Sequence, residues 1–434
     1  MDATTLFIVG LFLLVGSAVL VGELFIRLGQ AALVGQLLVG VVLGPSLLGD
    51  PLGLSSLGAT FQSLQFLATF FILMSVGLAI TPQQIRSTGL SAAALGVAIF
   101  LVPFLLGAGA VHLLYPGLSL MTALFVSLTI SITALPVLGI LLREFGLLDS
   151  RFGAFLMNTS LVNELAAVTA FAVLLRVNSE PQAAPLAVAS AIVTVALFLT
   201  SVLAVHMFLR SLRQVRLWDR WVVRFRESWR TREAGFAVLM VIGLGAALYS
   251  QYLGLTFLVG AFYCGLLVTP ESVGRRQHRS INFVFEAVTW GFFTPLFFAL
   301  VGFDTDFRDI GFAIVPWLAF VGLVVYALFS KLFVGAGVAR SLRWSANEAL
   351  CAGFLLTSRG AVELAMAVIL LSDGIFSTQL FTVVAGVGLV TTFLSPVGAR
   401  PFVRSVTAEH REQDERSPDV PLEPWLPPVG LPKR

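Results

Sequence analysis

Charge is scarce in this chain of 434 residues. Only 12% of them are charged and 57% are hydrophobic, whereas soluble domains carry about 25% charged residues. That balance excludes an ordinary soluble fold and indicates an all-α polytopic membrane protein. Cysteine is nearly absent: Cys264 and Cys351 both fall in apolar segments, so a disulfide framework is excluded. Lysine is almost missing too. Among 27 basic residues only Lys331 and Lys433 are lysine. No glycine-rich phosphate loop, His-Glu-x-x-His pair or zinc spacing occurs, so nucleotide drive and metal hydrolysis have no support. Neither a cofactor nor a nucleic-acid partner is expected, and nothing points to an enzyme. The start, Met1-Asp2-Ala3, lacks a basic n-region, and the apolar run after it reads as a retained helix.

What is abundant is apolar sequence. Thirteen segments, roughly 5–27, 31–49, 61–80, 90–115, 119–143, 151–176, 184–209, 234–251, 253–270, 283–305, 310–340, 346–373 and 378–403, are each near or above the roughly 20 residues needed to span a bilayer. With the N-terminus outside, the inside loops collect Arg27, Arg86, Arg143, Arg151, the arginines between 210 and 232, Arg275, Arg276, Arg279, Arg340 and Arg343. The outside keeps Arg176 and Arg308. This asymmetry supports thirteen spans with the C-terminus cytoplasmic. Residues 1–176 form a first six-helix repeat. Residues 177–232 hold a linker helix and a basic loop, where Leu217, Trp218, Trp221, Phe225 and Trp229 recur at helical spacing among arginines. That loop reads as an amphipathic helix on the membrane surface. Residues 233–404 form a second six-helix repeat, inverted relative to the first, a common transporter plan. Residues 405–434 turn polar and proline-rich and read as a disordered tail.

Within this frame a few polar groups lie at membrane depth. Glu164 sits in an apolar segment whose nearest charges are Arg151 and Arg176, roughly 18–20 Å away along a helix. An acid at that depth is a functional candidate by default. The run Ser131-Ile132-Thr133-Ala134-Leu135-Pro136 carries a helix breaker and, with Thr129, three hydroxyls. Interrupted backbone is tolerated there only where protein buries it or where it lines a cavity. Asn163 either fixes neighbouring backbone or contributes an oxygen ligand. Lys331 either snorkels to the interface or partners Glu164 until a cation displaces it. Arg359 and Glu363, four residues apart, share a helical face; they form a buried structural pair or steady opposed helix ends around an ion. Gly360 between them supports a second break through its backbone tolerance. Gly40-x-x-x-Gly44 reads as close helix packing. His112, His206, His278 and His410 fall near segment ends or in loops. Asp304, Asp306 and Asp309 cluster at the outer mouth, as solvated loop charge or as a cation funnel.

The stretches Gly35–Gly40 through Gly44-Pro45-Ser46, Ser131–Leu138, Val162-Asn163-Glu164, Pro295–Gly302 and Thr357–Leu364 together resemble the monovalent cation:proton antiporter superfamily, especially the branch of Kef-type potassium efflux proteins and plant cation:proton exchangers. The resemblance implies a fold with crossed broken helices. It also implies a homodimer in which helices 1–3 and 8–10 form the contact and helices 4–6 and 11–13 form a mobile core. The implied activity is exchange of Na⁺ or K⁺ for H⁺ in a bacterial inner membrane. Glu164 stands where this family usually has Asp, and Ala31 replaces a usual proline. No segment has the regulatory nucleotide-binding pattern of many Kef-type relatives. The residues then suggest one mechanism. A carboxylate held in hydrocarbon needs a positive partner, and a proton or a partly dehydrated monovalent cation can each supply it, but not both. Thr129, Ser131, Thr133 and opened carbonyls would add the oxygen ligands that hard cations take. One acid beside an amide predicts one-for-one, electroneutral exchange. A cation channel or a non-transporting sensor on the same scaffold remains the alternative; a membrane-embedded aspartyl protease would need paired acids at one depth.

Overall fold

The computed structural model describes residues 2–79, 89–148, 150–179, scattered positions between 189 and 211, then 234–253, 255–268, 275–310, 314–341 and 344–416. The basic loop 212–232 and the tail beyond Arg416 lie outside the described residues, as does most of the expected linker helix. The described structure is helical, with no strand. In chain order the helices are α1 (Ala3–Arg27), α2 (Ala32–Leu43), α3 (Gly58–Ala79), α4 (Leu90–Leu114), α5 (Leu120–Ser131), α6 (Leu135–Glu144), α7 (Arg151–Ser179) and α8 (Ala234–Tyr252). They continue with α9 (Phe257–Leu267), α10 (Arg275–Val288), α11 (Thr294–Phe303), α12 (Ile314–Ser341), α13 (Ala346–Leu355), α14 (Ala361–Ser372) and α15 (Thr378–Arg416). A π-helical turn, Thr289–Phe293, joins α10 to α11.

Eight spans among the described residues are long and apolar enough to cross a membrane. Three shorter apolar helices, Ala32–Leu43, Leu120–Ser131 and Ala361–Ser372, accompany them. Two of these are halves of the broken segments expected at 119–143 and 346–373. The third is the helical part of the segment expected over 31–49. It stops at Gly44, where Gly44-Pro45-Ser46 begins a series of turns, because proline disfavours helix at the residue before it. One expectation is corrected. The last helix runs on to Arg416, so residues 405–416 are helical rather than disordered. Ala, Glu, Arg and Gln there are good helix formers, and the prolines of the tail begin only at Pro418.

Contacts divide the chain into two units. The first comprises Met1–Gln62, Arg86–Ala167 and Phe298–Arg434. In it, α2 lies directly on the end of α11. A side chain at Gly40 would overlap the Ala299 carbonyl, and one at Gly302 the Leu37 carbonyl, so the Gly40-x-x-x-Gly44 spacing serves close backbone approach. Helix α4 packs on α5 and on α12, α12 packs on α13, and α13 on α15. Ser345 and Glu348 start α13 with a reciprocal capping box. The second unit comprises Ser63–Ile85 and Val168–Phe297. Its centre is aromatic: Phe71 stacks on Phe293 at 4.2 Å and on Phe285 at 5.3 Å between ring centroids. Its helices α3 and α9 approach closely at Gly77 and Gly265.

Candidate functional site

The site grows from a backbone problem. Proline at 136 has no N–H, so the carbonyl of Ile132 loses its helical partner. Helix α5 therefore ends at Ser131, and three non-helical residues, Ile132–Ala134, separate it from α6. Buried backbone groups must find partners elsewhere, and here side chains supply them. Lys331 Nζ donates to the Ile132 carbonyl at 2.5 Å and to Thr133 Oγ1 at 2.7 Å. Asn163 Oδ1 accepts from the Thr133 N–H at 2.7 Å, and its Nδ2 donates to the Ser131 carbonyl at 3.2 Å. Ser160 Oγ reaches the Thr133 carbonyl at 3.4 Å. Arg359 Nη1 donates to the Thr129 carbonyl at 3.2 Å. Two cations thus meet the carbonyl end of α5, where the helix dipole places partial negative charge.

The second break, Leu356–Gly360, crosses the first. The Ala134 N–H donates to the Ser358 carbonyl at 3.1 Å, and Thr133 Oγ1 donates to the Leu356 carbonyl at 2.8 Å. Thr392 on α15 brackets Arg359, accepting from its N–H and donating to its carbonyl, both at 3.1 Å. Gly360 is required here, though for a different reason from the one its sequence suggests. Its backbone is extended, with φ −172°, a conformation open to any residue. What matters is space: a Cβ at Gly360 would lie 2.9 Å from Ala134 Cβ and 2.9 Å from Val137 Cγ2.

Four ionisable side chains are sealed in this region: Glu164, Lys331 and Glu363 have no exposed surface, and Arg359 has 1%. Arg359 and Glu363 pair at 3.2 Å, with Glu363 in the first turn of α14, where an acid complements the helix dipole. Glu164 differs from the other three: among the described residues no side chain donates a hydrogen bond to either of its carboxylate oxygens. The Leu135 amide, at the N-terminus of α6, is the backbone group that acts on it. Glu164 therefore faces the positive end of one half-helix, beside the break that its neighbour Asn163 holds.

The sequence candidates are brought together, with one departure. Lys331 does not bond Glu164; its ammonium is engaged by Ile132 and Thr133, because the carbonyl freed by Pro136 is a ready acceptor. Thr129 and Ser131 turn their hydroxyl hydrogens to Val126 and Ser127 of their own helix, at 2.8 and 2.7 Å. Their oxygens keep acceptor capacity. Asn163 spends both ends of its amide on the break. Ser160 and Thr392 were not foreseen. Ser160 stands three residues before Asn163, on the same helical face; for Thr392 no sequence signal was available. At the loops, Arg308 bonds Asp50 at 3.1 Å and Asp306 at 2.8 Å. Its hydrogen bond holds the Asp306 carboxyl below the usual carboxylate range, and Ser55 followed by Arg308 does the same for Asp50. Asp306 is thus an ion-paired loop acid. The side chains of Asp309, His206, His278 and His410 lie outside the described residues; His112 is exposed.

The family model described as "Sodium/hydrogen exchanger, transmembrane" matches residues 11–405. The chain is 28% identical over 373 residues to Cation/H(+) antiporter 18 of Arabidopsis thaliana, covering 82% of this chain but 44% of that protein. It spans about half the length of the other plant relatives it matches. It is 27% identical to the Na(+)/H(+) antiporter NhaS4 of Synechocystis, covering 91% of this chain and 97% of that one. With the Na(+)/H(+)-K(+) antiporter GerN of Bacillus cereus it shares 25% over 91% and 95% of the two chains. The solved structure of the sodium proton antiporter MjNhaP1 from Methanocaldococcus jannaschii superposes with a TM-score of 0.71, at 13% identity, covering 94% of this chain and 99% of that chain. That likeness is one of fold.

Proposed function

Because the chain belongs to the sodium/hydrogen exchanger transmembrane family, we propose that it is a secondary active antiporter, exchanging a monovalent cation, Na⁺ or K⁺, for protons. Its relatives are named for Na⁺/H⁺ and K⁺/H⁺ antiport, and both ions stay open. The observation that carries the reading is the Glu164 carboxyl group, fully buried and, among the described residues, with no side-chain donor or cation on either oxygen. A carboxylate in that position is stabilised by binding a proton or a cation, and one such group cannot hold both. Competition at Glu164 then couples the two fluxes. Thr133, Ser131 and Thr129, with carbonyls of the break, are the oxygen groups closest in kind to a dehydrated cation's shell. Asn163 shapes the break rather than binding the ion. Lys331, Arg359 and Glu363 hold the crossed helix ends in place.

One free carboxylate gives one-for-one exchange without net charge movement. The second buried acid, Glu363, already faces Arg359, which favours a single exchangeable site. We place thirteen spans, two inverted repeats, a homodimer and a bacterial inner-membrane location with the N-terminus outside in the same reading; the two crossed breaks and the family match support it. The test is cation-driven proton flux in proteoliposomes, with Li⁺, Na⁺, K⁺ and Rb⁺ added in turn. Glu164→Gln abolishes the flux while the protein stays folded. Wild-type flux from that variant rejects the site, and a voltage-sensitive transport current rejects the stoichiometry.

A further inference from the structure

Helix α12 carries Lys331 to the break in α5, yet the two helices barely touch each other directly. Helix α4 lies between them in packing terms, bonded to both. The three meet at two adjacent carbonyls of α4. Tyr326, five residues before Lys331 on α12, donates its hydroxyl to the Pro103 carbonyl at 2.5 Å. Ser127, one turn before Ser131 on α5, donates its one hydroxyl hydrogen to the next carbonyl, Phe104, at 2.5 Å, with the Pro103 carbonyl 3.3 Å away. Gly107, a turn further along α4, makes the approach possible: a Cβ there would overlap Ser127 Oγ and stand 3.1 Å from the Tyr326 ring and hydroxyl. A groove of about 340 Å³ opens beside the node, lined by Val102, Leu106, Phe329 and Phe333 together with Tyr326 and Ser330. Apolar packing brings α12 against α4, with Leu114 seated on Gly322; the two hydroxyls add directional contacts to it.

We infer that Tyr326 and Ser127 are positioning residues: they set the height of α12 against α5 and thereby hold the Lys331 ammonium on the Ile132 carbonyl. The chain of contacts is short. Tyr326 fixes α12 to the Pro103 carbonyl, Ser127 fixes α5 to the adjacent Phe104 carbonyl, and Lys331 closes the loop one helical turn and a half further on. Lys331 makes two hydrogen bonds with the break, and each is sensitive to a shift of α12 by a few tenths of an ångström. Gly107 clears the space in front of these carbonyls.

This inference deepens the proposed transport site, and its first test does not require transport. Hydrogen exchange is followed by mass spectrometry in the peptide containing Thr133 and Ala134, for wild type, Tyr326→Phe, Lys331→Gln and the double variant. Tyr326→Phe keeps the ring and removes one donor, and such a bond is worth roughly a three- to tenfold change in a local opening equilibrium. Exchange at 133–134 speeds up by that factor, while peptides of α1 and α2 keep wild-type rates. Lys331→Gln has at least as large an effect, and adding Tyr326→Phe to it changes exchange by less than about twofold, because the tyrosine acts through the lysine. Cation-driven proton flux gives the second readout: Tyr326→Phe raises the half-saturating cation concentration by a similar three- to tenfold. Unchanged exchange at 133–134 overturns the inference, as do additive effects in the double variant or a uniform rise in every helix. Ser127→Ala provides the same comparison if Tyr326→Phe folds poorly. A wild-type protein without cation-coupled flux would sink the proposed function while leaving the exchange result to decide the positioning role.

Discussion

Removing the Asn163 amide tests how the first break is held. Asn163→Leu keeps a similar volume, so the effect is not that of a cavity. It deletes the acceptor for the Thr133 N–H, bonded at 2.7 Å, and the donor to the Ser131 carbonyl, bonded at 3.2 Å. Both backbone groups belong to fully buried residues, and no water competes easily for them. Leaving one buried polar group unpaired costs about 1–3 kcal/mol, so the two together cost about 2–6 kcal/mol before the strand relaxes. The helical acceptor of the Thr133 amide, the Thr129 carbonyl, already accepts from Arg359 Nη1. Reversible unfolding of the purified protein by denaturant measures the loss. The variant also loses at least tenfold in cation-driven proton flux, because the same strand borders Glu164. A variant that unfolds at the wild-type midpoint and transports at the wild-type rate would refute the reasoning: the strand would then be held by its crossing partner alone.

Three further outcomes follow from the same geometry. Glu363→Gln leaves the Arg359 guanidinium buried without a counter-charge, which costs about 3–5 kcal/mol; replacing Arg359 by Gln as well recovers part of that loss in the same unfolding measurement. Gly360→Val forces a side chain into the space 2.9 Å from Ala134 Cβ and Val137 Cγ2, so the crossed breaks separate; flux falls at least tenfold while unfolding shifts less than for Glu363→Gln. In Lys331→Met the Ile132 carbonyl goes unpaired, and hydrogen exchange at Thr133 and Ala134 quickens by tenfold or more.

Part of this site is legible in the sequence. Pro136 in an apolar run announces a break, since a residue without an N–H cannot complete a buried helix. An acid some 18–20 Å from the nearest charge along its helix announces burial. The Arg359–Glu363 pair follows from a spacing of four. What the sequence left open was the allocation of partners. Lys331 had a plausible opposite charge in Glu164, but a freed carbonyl lay nearer, and only the packing of α12 on α4 decides which one the ammonium reaches. Gly360 pointed to the right place for the wrong reason, because spacing along a chain says nothing about which strand will cross it. Thr392, Tyr326 and Ser127 are invisible for a related reason: a hydroxyl in an apolar helix reads the same whether it bonds its own turn or a neighbour's. The prolonged α15 shows the limit of composition. Charged helix formers between Arg404 and Arg416 continue a helix that hydropathy alone would end.

Competition between a proton and a cation at Glu164 makes cation affinity depend on pH. Proton flux in proteoliposomes is measured against cation concentration at several pH values on the acidic side of the optimum. If one carboxylate serves both ions, the half-saturating cation concentration rises toward tenfold for each unit of acidification while the saturated rate is unchanged. A saturated rate that falls with acid, at a constant half-saturating concentration, would contradict the account.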